Sequence, residues 1–398
     1  MTLVLNTEEV VQALALEDYI DAMEEAFTEM GRGAAISSPR TETWIPLTQN
    51  GASKKVEKEA RKLLRSLPDD GDPHSSPEWI RAAKKSGRLN YRLKTIAGGY
   101  PKRGVMALKI DSTSDTRPVL NGSKRSVKLP LGAGWRFTGM LMLFDIVSGE
   151  LLAIFPLGPL QRNRVAATSA VGVKHLARKT AATLGIIGSG FQAEGQALAA
   201  AIVRKLKRVK VFSPNAAHRK AFAAKLETAM GLEVEPVESG AAACRASDII
   251  LSATTSMAPV FEFKWLEEGT HLGSINIVEA DPRSFRQSDR VVVNIRPFGG
   301  GSDLVQDYIM GDKKIETGGR SINRRSATLR WEKMTDLGEL LTGKTKGRTK
   351  AEEITFHCNN IGLGIQHAAS GARVLANARR LGLGREIPAD WFLQKEHT

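Results

Sequence analysis

The chain has 398 residues, 42% of them hydrophobic and 25% charged, and a formal net charge of +14. That is the composition of an ordinary globular protein with length for about two domains. No run of about 18 apolar residues occurs, which argues against a spanning helix, and the two cysteines, Cys244 and Cys358, provide neither a disulfide framework nor a metal-ligand spacing. The opening MTLVLNTEEVVQAL has no basic segment and does not read as a secretory signal. A reducing, cytoplasmic setting is therefore expected, with no membrane partner. The basic stretches at 54–88 and 313–350 are interrupted by acids and carry no interleaved aromatics, so nucleic acid is not the expected partner either.

In chain order, residues 7–31 read as one helix, with Thr7 as N-cap, acids in the first turn and Val10, Val11, Leu14 and Leu16 along it. In the charged stretch 51–90, Val56, Ala60, Leu63, Leu64 and Leu67 share a helical face until Pro68-Asp69-Asp70-Gly71-Asp72-Pro73 breaks it. It reads as an exposed helical insertion, with a lid as the alternative. Residues 104–111 alternate as a strand, and 138–157 read as a hairpin turning at Val147-Ser148-Gly149-Glu150. A helix follows at 165–178. From 182 onward strands and helices alternate: strands at 182–187, 209–212, 232–237, 249–253, 270–275 and 290–294, and helices at 193–203, 217–230 and 241–246. That order predicts an α/β fold with a parallel sheet covered on both faces. Residues 335–398 read as loop and helix, with a long small-residue helix near 362–380.

The most informative motif is Gly188-Ser189-Gly190-Phe191-Gln192-Ala193, a strand-to-helix turn of the form G-x-G-x-x-A. Gly188 permits the tight turn, Gly190 lets backbone approach a pyrophosphate, and Ala193 lets helix and strand pack closely. The helix N-terminus then faces the phosphates. The strand before it, the helix after it and a second strand about twenty residues on supply the context the motif requires. NAD or NADP is the expected cofactor. The second strand ends in Ser213-Pro214-Asn215 without a carboxylate to hold a ribose 2′-hydroxyl. His218 and Arg219 follow and could meet a 2′-phosphate, a mild lean toward NADP. Ser252, Ala253 and Thr254, with Thr255, close the fourth strand where loops reach the nicotinamide half.

This pattern resembles the ornithine cyclodeaminase/mu-crystallin family. The resemblance rests on Gly188, Gly190, Gln192 and Ala193, on Arg164-Val165-Ala166-Ala167-Thr168-Ser169 upstream, on Gly269-Thr270-His271, and on Leu337-Gly338-Glu339-Leu340 with Gly343 and Gly347-Arg348-Thr349. It implies a Rossmann dinucleotide-binding domain plus a discontinuous α+β domain for substrate binding and dimerisation. The expected boundaries are 1–160 and 319–398 for the second, around 161–318 for the first. It also implies hydride transfer at Cα of a small amino acid or its imine, and a homodimer. Arg40, Lys109 and Arg164 match the family's substrate-carboxylate clamp, and Lys109 its catalytic lysine. Charge-assisted bidentate partners fix a carboxylate's orientation, and that orientation aims Cα at the nicotinamide.

Three departures argue against assuming ornithine. Counting from Thr270-His271 places Val278 where the family's catalytic aspartate is expected, leaving Glu279 and Asp281 as the nearby carboxylates. Gly364-Ile365-Gln366-His367 lacks an aspartate that many relatives carry, expected near the adenine or ribose end of the site. The insertion between Gln49 and Arg92 is expected near the substrate entrance. Two further readings stand beside the enzyme: a cofactor-binding carrier of the mu-crystallin type with little catalysis, and a nucleic-acid binder motivated by charge alone. No metal is expected.

Overall fold

The structure, a computed structural model, describes residues 1–48, 52–67, 77–120, 123–124, 127–129, 137–296, 305–309 and 329–394. After strand β1 (Thr2–Val4), the single helix expected at 7–31 is two, α1 (Thr7–Ala13) and α2 (Leu16–Gly31). Leu14 and Ala15 between them are extended. The N-cap is Asn6 rather than Thr7: its side chain accepts from Glu9 N–H while the Glu9 carboxylate accepts from Asn6 N–H, a capping box.

The first sheet gathers β2 (Ile36–Ser37), β3 (Arg40–Pro46), β4 (Asn90–Tyr100), β5 (Val105–Thr116), β8 (Val127–Leu129), β9 (Thr138–Asp145) and β10 (Leu151–Pro156); β6 (Val119–Leu120) and β7 (Ser123–Lys124) form a separate ribbon. Between β3 and β4 lie α3 (Lys54–Arg65) and α4 (Pro77–Ser86). These two helices are not simply a solvated insertion. Ala60, Leu64, Leu67, Ile80 and Ala83 close a small core with Leu89 and Leu129 of the sheet end. Along β5, β9 and β10 burial alternates, so one face of the sheet is packed and the other lies at the surface.

Helix α5 (Gly158–Leu176) starts seven residues before the expected 165, with Pro159 in its first turn, where a missing N–H does no harm. The second sheet follows, built from β11 (Thr183–Ile187), β12 (Arg208–Phe212), β13 (Glu233–Pro236), β14 (Ile249–Ser252), β15 (His271–Ser274), β16 (Arg290–Val293), β18 (Thr335–Asp336) and β19 (Thr355–Cys358). Its order is β13-β12-β11-β14-β15-β19-β16-β18, with every pairing parallel. Helices α6 (Phe191–Val203), α7 (Ala216–Met230), α8 (Gly240–Cys244) and α9 (Ser284–Gln287) connect its strands. The first five strands run 3-2-1-4-5 about β11, the doubly wound arrangement of a Rossmann fold.

The stretch 335–398, expected as loop and helix, also supplies strands. β18 and β19 complete the parallel sheet, and β20 (Arg385–Ile387) pairs with β1 in the first. Strands of two to four residues are too short to show an alternation, and β19 is buried on both faces. Val305–Ile309 (β17) likewise joins the first sheet, beside β3. Helix α10 (Leu337–Leu341) crosses α2, where a Cβ on Gly31 would meet the Gly338 carbonyl oxygen at 2.3 Å. Helix α11 (Gly364–Leu381) lies on the packed face of the first sheet. A Cβ on Gly364 would fall 1.9 Å from Ala97 O, and one on Gly371 2.9 Å from Leu141. Among the described residues no helix is long and apolar enough to cross a membrane.

Candidate functional site

The glycine turn sits where strand order reverses, between β11 and α6. Gly188 has φ +125°, and a Cβ there would press to 2.3 Å from Ala253 O, so only glycine fits. Gly190 is the N-cap of α6, and a Cβ built on it would meet nothing within 4 Å. Open space in front of a helix N-terminus suits a pyrophosphate, with the N–H groups of Ser189, Gly190, Phe191 and Gln192 available around it. Ala193 behind the turn is fully buried, while Gln192 Oε1 is buried without a hydrogen-bond partner. Sequence reasoning passed over Arg162. From α5 its guanidinium lies 4.7 Å from the Phe191 ring centroid and 3.8 Å from Glu194, beside the phosphate position.

The adenosine end differs from expectation at one residue. Arg219 is not a free cation for a 2′-phosphate. It is buried, it donates to Ser213 O at 2.7 Å, it pairs with Glu238, and it stands over the Phe212 ring. Asn215 spends its side-chain oxygen on His218 N–H, capping α7. The half-buried His218 side chain is left at the surface of that turn.

At the nicotinamide end, Ser252, Ala253 and Thr254 close β14 above Glu279. Glu279 is fully buried; it accepts from Thr254 N–H, and the Ser252 and Ser274 hydroxyls lie 3.4 and 3.5 Å away. Burial pushes its carboxyl up to about 7, against the opposing pull of those bonds. Asp281 is committed to the backbone: its oxygens accept from Phe263 N–H and Arg283 N–H, each at 2.9 Å. None of these bonds reaches Arg40, Lys109 or Arg164. The structure therefore brings Glu279 to the cofactor loop, and it makes Asp281 an anchor of its own turn rather than a free base. Val278 is buried.

The three clamp cations come from three segments. Ile96 pairs with Lys109, and the β3–β4 register sets Arg40 opposite Ile96, so Arg40 and Lys109 lie in line on the packed face of the first sheet. Arg164 enters from α5, buried, with Nη1 donating to Gln366 Oε1 at 2.9 Å. Gln366 also donates to Thr168 at 2.6 Å and accepts from Leu363 N–H, so the first turn of α11 and the guanidinium position each other. The cations feel one another. Burial lowers Lys109 to about 7, Asp111 at 3.4 Å opposes this, and the charges of Lys128, Arg164 and Arg40 add to it. Arg164 falls to about 9 through burial and Arg40.

Three further polar residues of this face escaped sequence reasoning: Glu42, Lys94 and Asp111, which alternate like an exposed strand face. His367, expected near the adenine or ribose end, is instead on the sheet side of α11 between Gly364 and Gly371. Its pKa is depressed by burial and by Arg164 and Lys109, and neither ring nitrogen has a hydrogen-bond partner. The Gly269-Thr270-His271 and Gly347-Arg348-Thr349 motifs are framework: His271 meets Thr355 at 2.9 Å, and Arg348 donates to Leu176 O, Thr270 O and Thr355. Among the described residues no three His, Cys, Asp or Glu side chains gather as a metal site.

The model of the ornithine cyclodeaminase/mu-crystallin family matches residues 134–380. A Delta(1)-pyrroline-2-carboxylate reductase of Bacillus cereus is 29% identical over 255 residues, 63% of this chain and 74% of that protein. An alanine dehydrogenase of Archaeoglobus fulgidus is 25% identical over 395 residues, 97% of this chain and 98% of that one. Among solved structures, the Thermococcus litoralis Delta(1)-pyrroline-2-carboxylate reductase in complex with NADH and L-proline superposes with a TM-score of 0.71 at 24% identity, covering 97% of this chain and all of that one. An archaeal alanine dehydrogenase dimer with bound NAD gives 0.69 at 22%, covering 97% and 98%.

Proposed function

The chain belongs to the ornithine cyclodeaminase/mu-crystallin family, and from that premise we propose that it is an NAD(P)-dependent oxidoreductase acting at Cα of a small amino acid or its imine. The observation that carries this reading is the set of three neighbouring cations, Arg40, Lys109 and Arg164, supplied by three separate elements. A carboxylate seated among them is oriented by charge-assisted hydrogen bonds. The bound nicotinamide supplies or accepts the hydride. In the reductive direction the imine carbon takes the hydride and its nitrogen takes a proton, giving the amine. Lys109, lowered to about 7, can both hold the carboxylate and exchange that proton near neutrality. Glu279, beside Ser252 and Thr254, is the carboxylate nearest the cofactor loop.

The test is direct. Purified protein is mixed with NADH or NADPH and a panel of cyclic imines, or 2-oxo acids with ammonia, and loss of the reduced-nicotinamide absorbance is followed. Lys109→Ala is expected to lower kcat/KM by about 100-fold or more while cofactor affinity stays within about threefold. Loss of cofactor binding instead would sink the clamp assignment. A second reading, a cofactor-binding carrier with little turnover, draws on the backbone commitments of Asp281. Cofactor binding with no oxidation across the panel would favour it.

We also propose NAD or NADP as cofactor without preference, since Arg219 is occupied and His218 alone is left to favour a 2′-phosphate. We propose the division at 1–160, 161–318 and 319–398 with two amendments: the pairing of β18 and β19 in the second sheet supports extending the dinucleotide-binding unit to about 360, and the pairing of β17 with β3 supports giving residues 305–309 to the other unit. We propose a homodimer formed through the outer face of the first sheet, where Met106, Leu108, Ile110, Met140, Met142 and Phe144 are exposed or half-buried. The dimer of the archaeal alanine dehydrogenase supports this reading. The two free, buried thiols, Cys244 and Cys358, suit the cytoplasm. Nucleic acid is not proposed, because part of the positive excess lies inside the protein.

A further inference from the structure

The packed face of the first sheet holds more charge than a carboxylate clamp needs. By register, Arg40, Ile96 and Lys109 form one row across β3, β4 and β5. Glu42, Lys94 and Asp111 form the next, and Trp44, Arg92 and Thr113 the one after. Successive rows lie two residues apart, about 7 Å. By register β17 sets Asp307 beside Glu42, and among the described side chains of this face the cations exceed the carboxylates that could balance them. Glu42 is shared among Arg40 at 3.0 Å, Lys94 at 3.2 Å and Arg92 at 3.9 Å. Asp111 is shared between Lys109 at 3.4 Å and Lys128 at 3.0 Å. Among the described residues Asp115 lies 3.6 Å from Arg92 and also feels the charge of Arg117, and Arg164 has no carboxylate partner. Most of these side chains are enclosed; Lys94, for instance, keeps 16% of its side-chain surface exposed.

An uncompensated cation in such surroundings is costly, and a lysine escapes by losing its proton. Lys94 is held well below its usual value by burial, then by Arg92, against the pull of Glu42; Lys109 behaves alike. Donors also go unused: Arg92 Nε and Thr113 Oγ1 are buried without hydrogen-bond partners, as are both Asp115 oxygens. The Arg92 guanidinium is held over the Trp44 ring at 4.9 Å from its centroid, with its terminal nitrogens no closer than 3.6 Å to a carboxylate among the described residues. Burial raises the Asp115 carboxyl against the opposing charges of Arg92, Arg117 and Lys94.

We propose that the substrate is a dicarboxylic amino or imino acid, its second carboxylate held by Lys94, one row from the clamp, and Arg92, two rows from it. This rests on the oxidoreductase reading above and names its substrate class. A side-chain ammonium fits worse, because Glu42 and Asp111 already serve two or three cations each and another would enlarge the imbalance. Seating a second anion opposes the effect of burial on Lys94 and Lys109 and raises both. The groups facing them are Arg40, Glu42, Arg92, Asp111, Lys128, Arg164 from α5 and His367 from α11.

The experiment is calorimetric binding of two unreactive acids of equal chain length, succinate and butyrate, to the intact protein saturated with oxidised cofactor. Wild type is expected to prefer succinate by about tenfold or more, the effect of one charge-assisted hydrogen bond. In Lys94→Met the preference is expected to fall below about threefold. Should that variant not fold, the wild type at about pH 8 in two buffers of different ionisation enthalpy provides the readout: succinate takes up about one proton and butyrate fewer. Equal binding of the two acids, a preference untouched by Lys94→Met, or equal proton uptake overturns the proposal. Fast turnover of monocarboxylic imines with no gain from a second carboxylate sinks the subsite and leaves the reaction standing. Succinate preference without any hydride transfer does the reverse.

Discussion

Single residues in this protein are best understood by what already occupies their polar atoms. Glu279 and Asp281 are neighbours in sequence with different commitments, one below the cofactor loop and one bonded to two backbone N–H groups. The raised Glu279 carboxyl has a consequence for stability. Its folded value, about 7, lies above the ordinary 4.5, so the folded chain binds the extra proton between those values. Stability from this group is complete below about pH 4.5 and is lost as pH rises through about 7. Glu279→Gln is therefore expected to raise Tm by a few degrees at about pH 8 relative to wild type. At about pH 5 the gain should vanish. A Tm difference that ignores pH would show the carboxyl to be ordinary. Lys109 titrates in the same region, and for catalysis its charge is what matters. The kcat/KM for imine reduction should fall as pH rises through about 7, when the free enzyme loses the proton that binds the carboxylate. A flat profile up to about pH 9 would count against that role. The residues of this face were legible unevenly. Arg40, Lys109 and Arg164 stood out through resemblance, whereas Glu42, Lys94 and Asp111 alternate in the manner of a solvated strand. Alternation tells which residues share a face; it is silent on which face is packed.

At the scale of elements, the dinucleotide unit was the readable part, and the reason is locality. A glycine turn, the strand before it and the helix after it specify one another within a dozen residues. The structure separates two glycines that look equivalent in the sequence. Gly190→Val places its side chain in open space, so it is expected to leave Tm within a few degrees and to abolish cofactor binding. Gly188→Ala faces a positive φ and the Ala253 carbonyl, and is expected to destabilise the fold itself, by about 2 kcal/mol or more. Cofactor fluorescence titration beside thermal melts distinguishes the two; unimpaired binding by Gly190→Val would reduce the loop to a plain turn. What the sequence hid at this scale was short or interrupted: the extended Leu14-Ala15 joint between α1 and α2, and strands β18 and β19. Such elements owe their place to neighbours far away in the chain, through parallel pairing with β15 and β16.

For the whole molecule, the two faces of the first sheet have opposite tasks. The packed face carries charge and the outer face carries apolar side chains, the inverse of a sheet with one wet side. Leu108→Glu, on the outer face at mid-strand, is expected to turn a dimer into a monomer by light scattering, with cofactor binding retained. An unchanged mass would place the interface elsewhere. A parallel sheet was legible from the alternation of strands and helices after residue 182, but its true extent was not, since β19 sits between β15 and β16 in space and follows both in sequence.

The position of α11 across β4 and β5 also imposes an order on synthesis. The ribosome releases the strands at 90–145 well before residues 364–381. At bacterial or eukaryotic elongation rates the interval is on the order of ten seconds or longer. Through that interval Ala107, Leu141 and Leu143 lack the helix that finally covers them. The glycine turn and the strands beside it are complete much sooner. Until α11 arrives the unfinished first sheet exposes that apolar face, and it is the part of the nascent chain most open to misassociation.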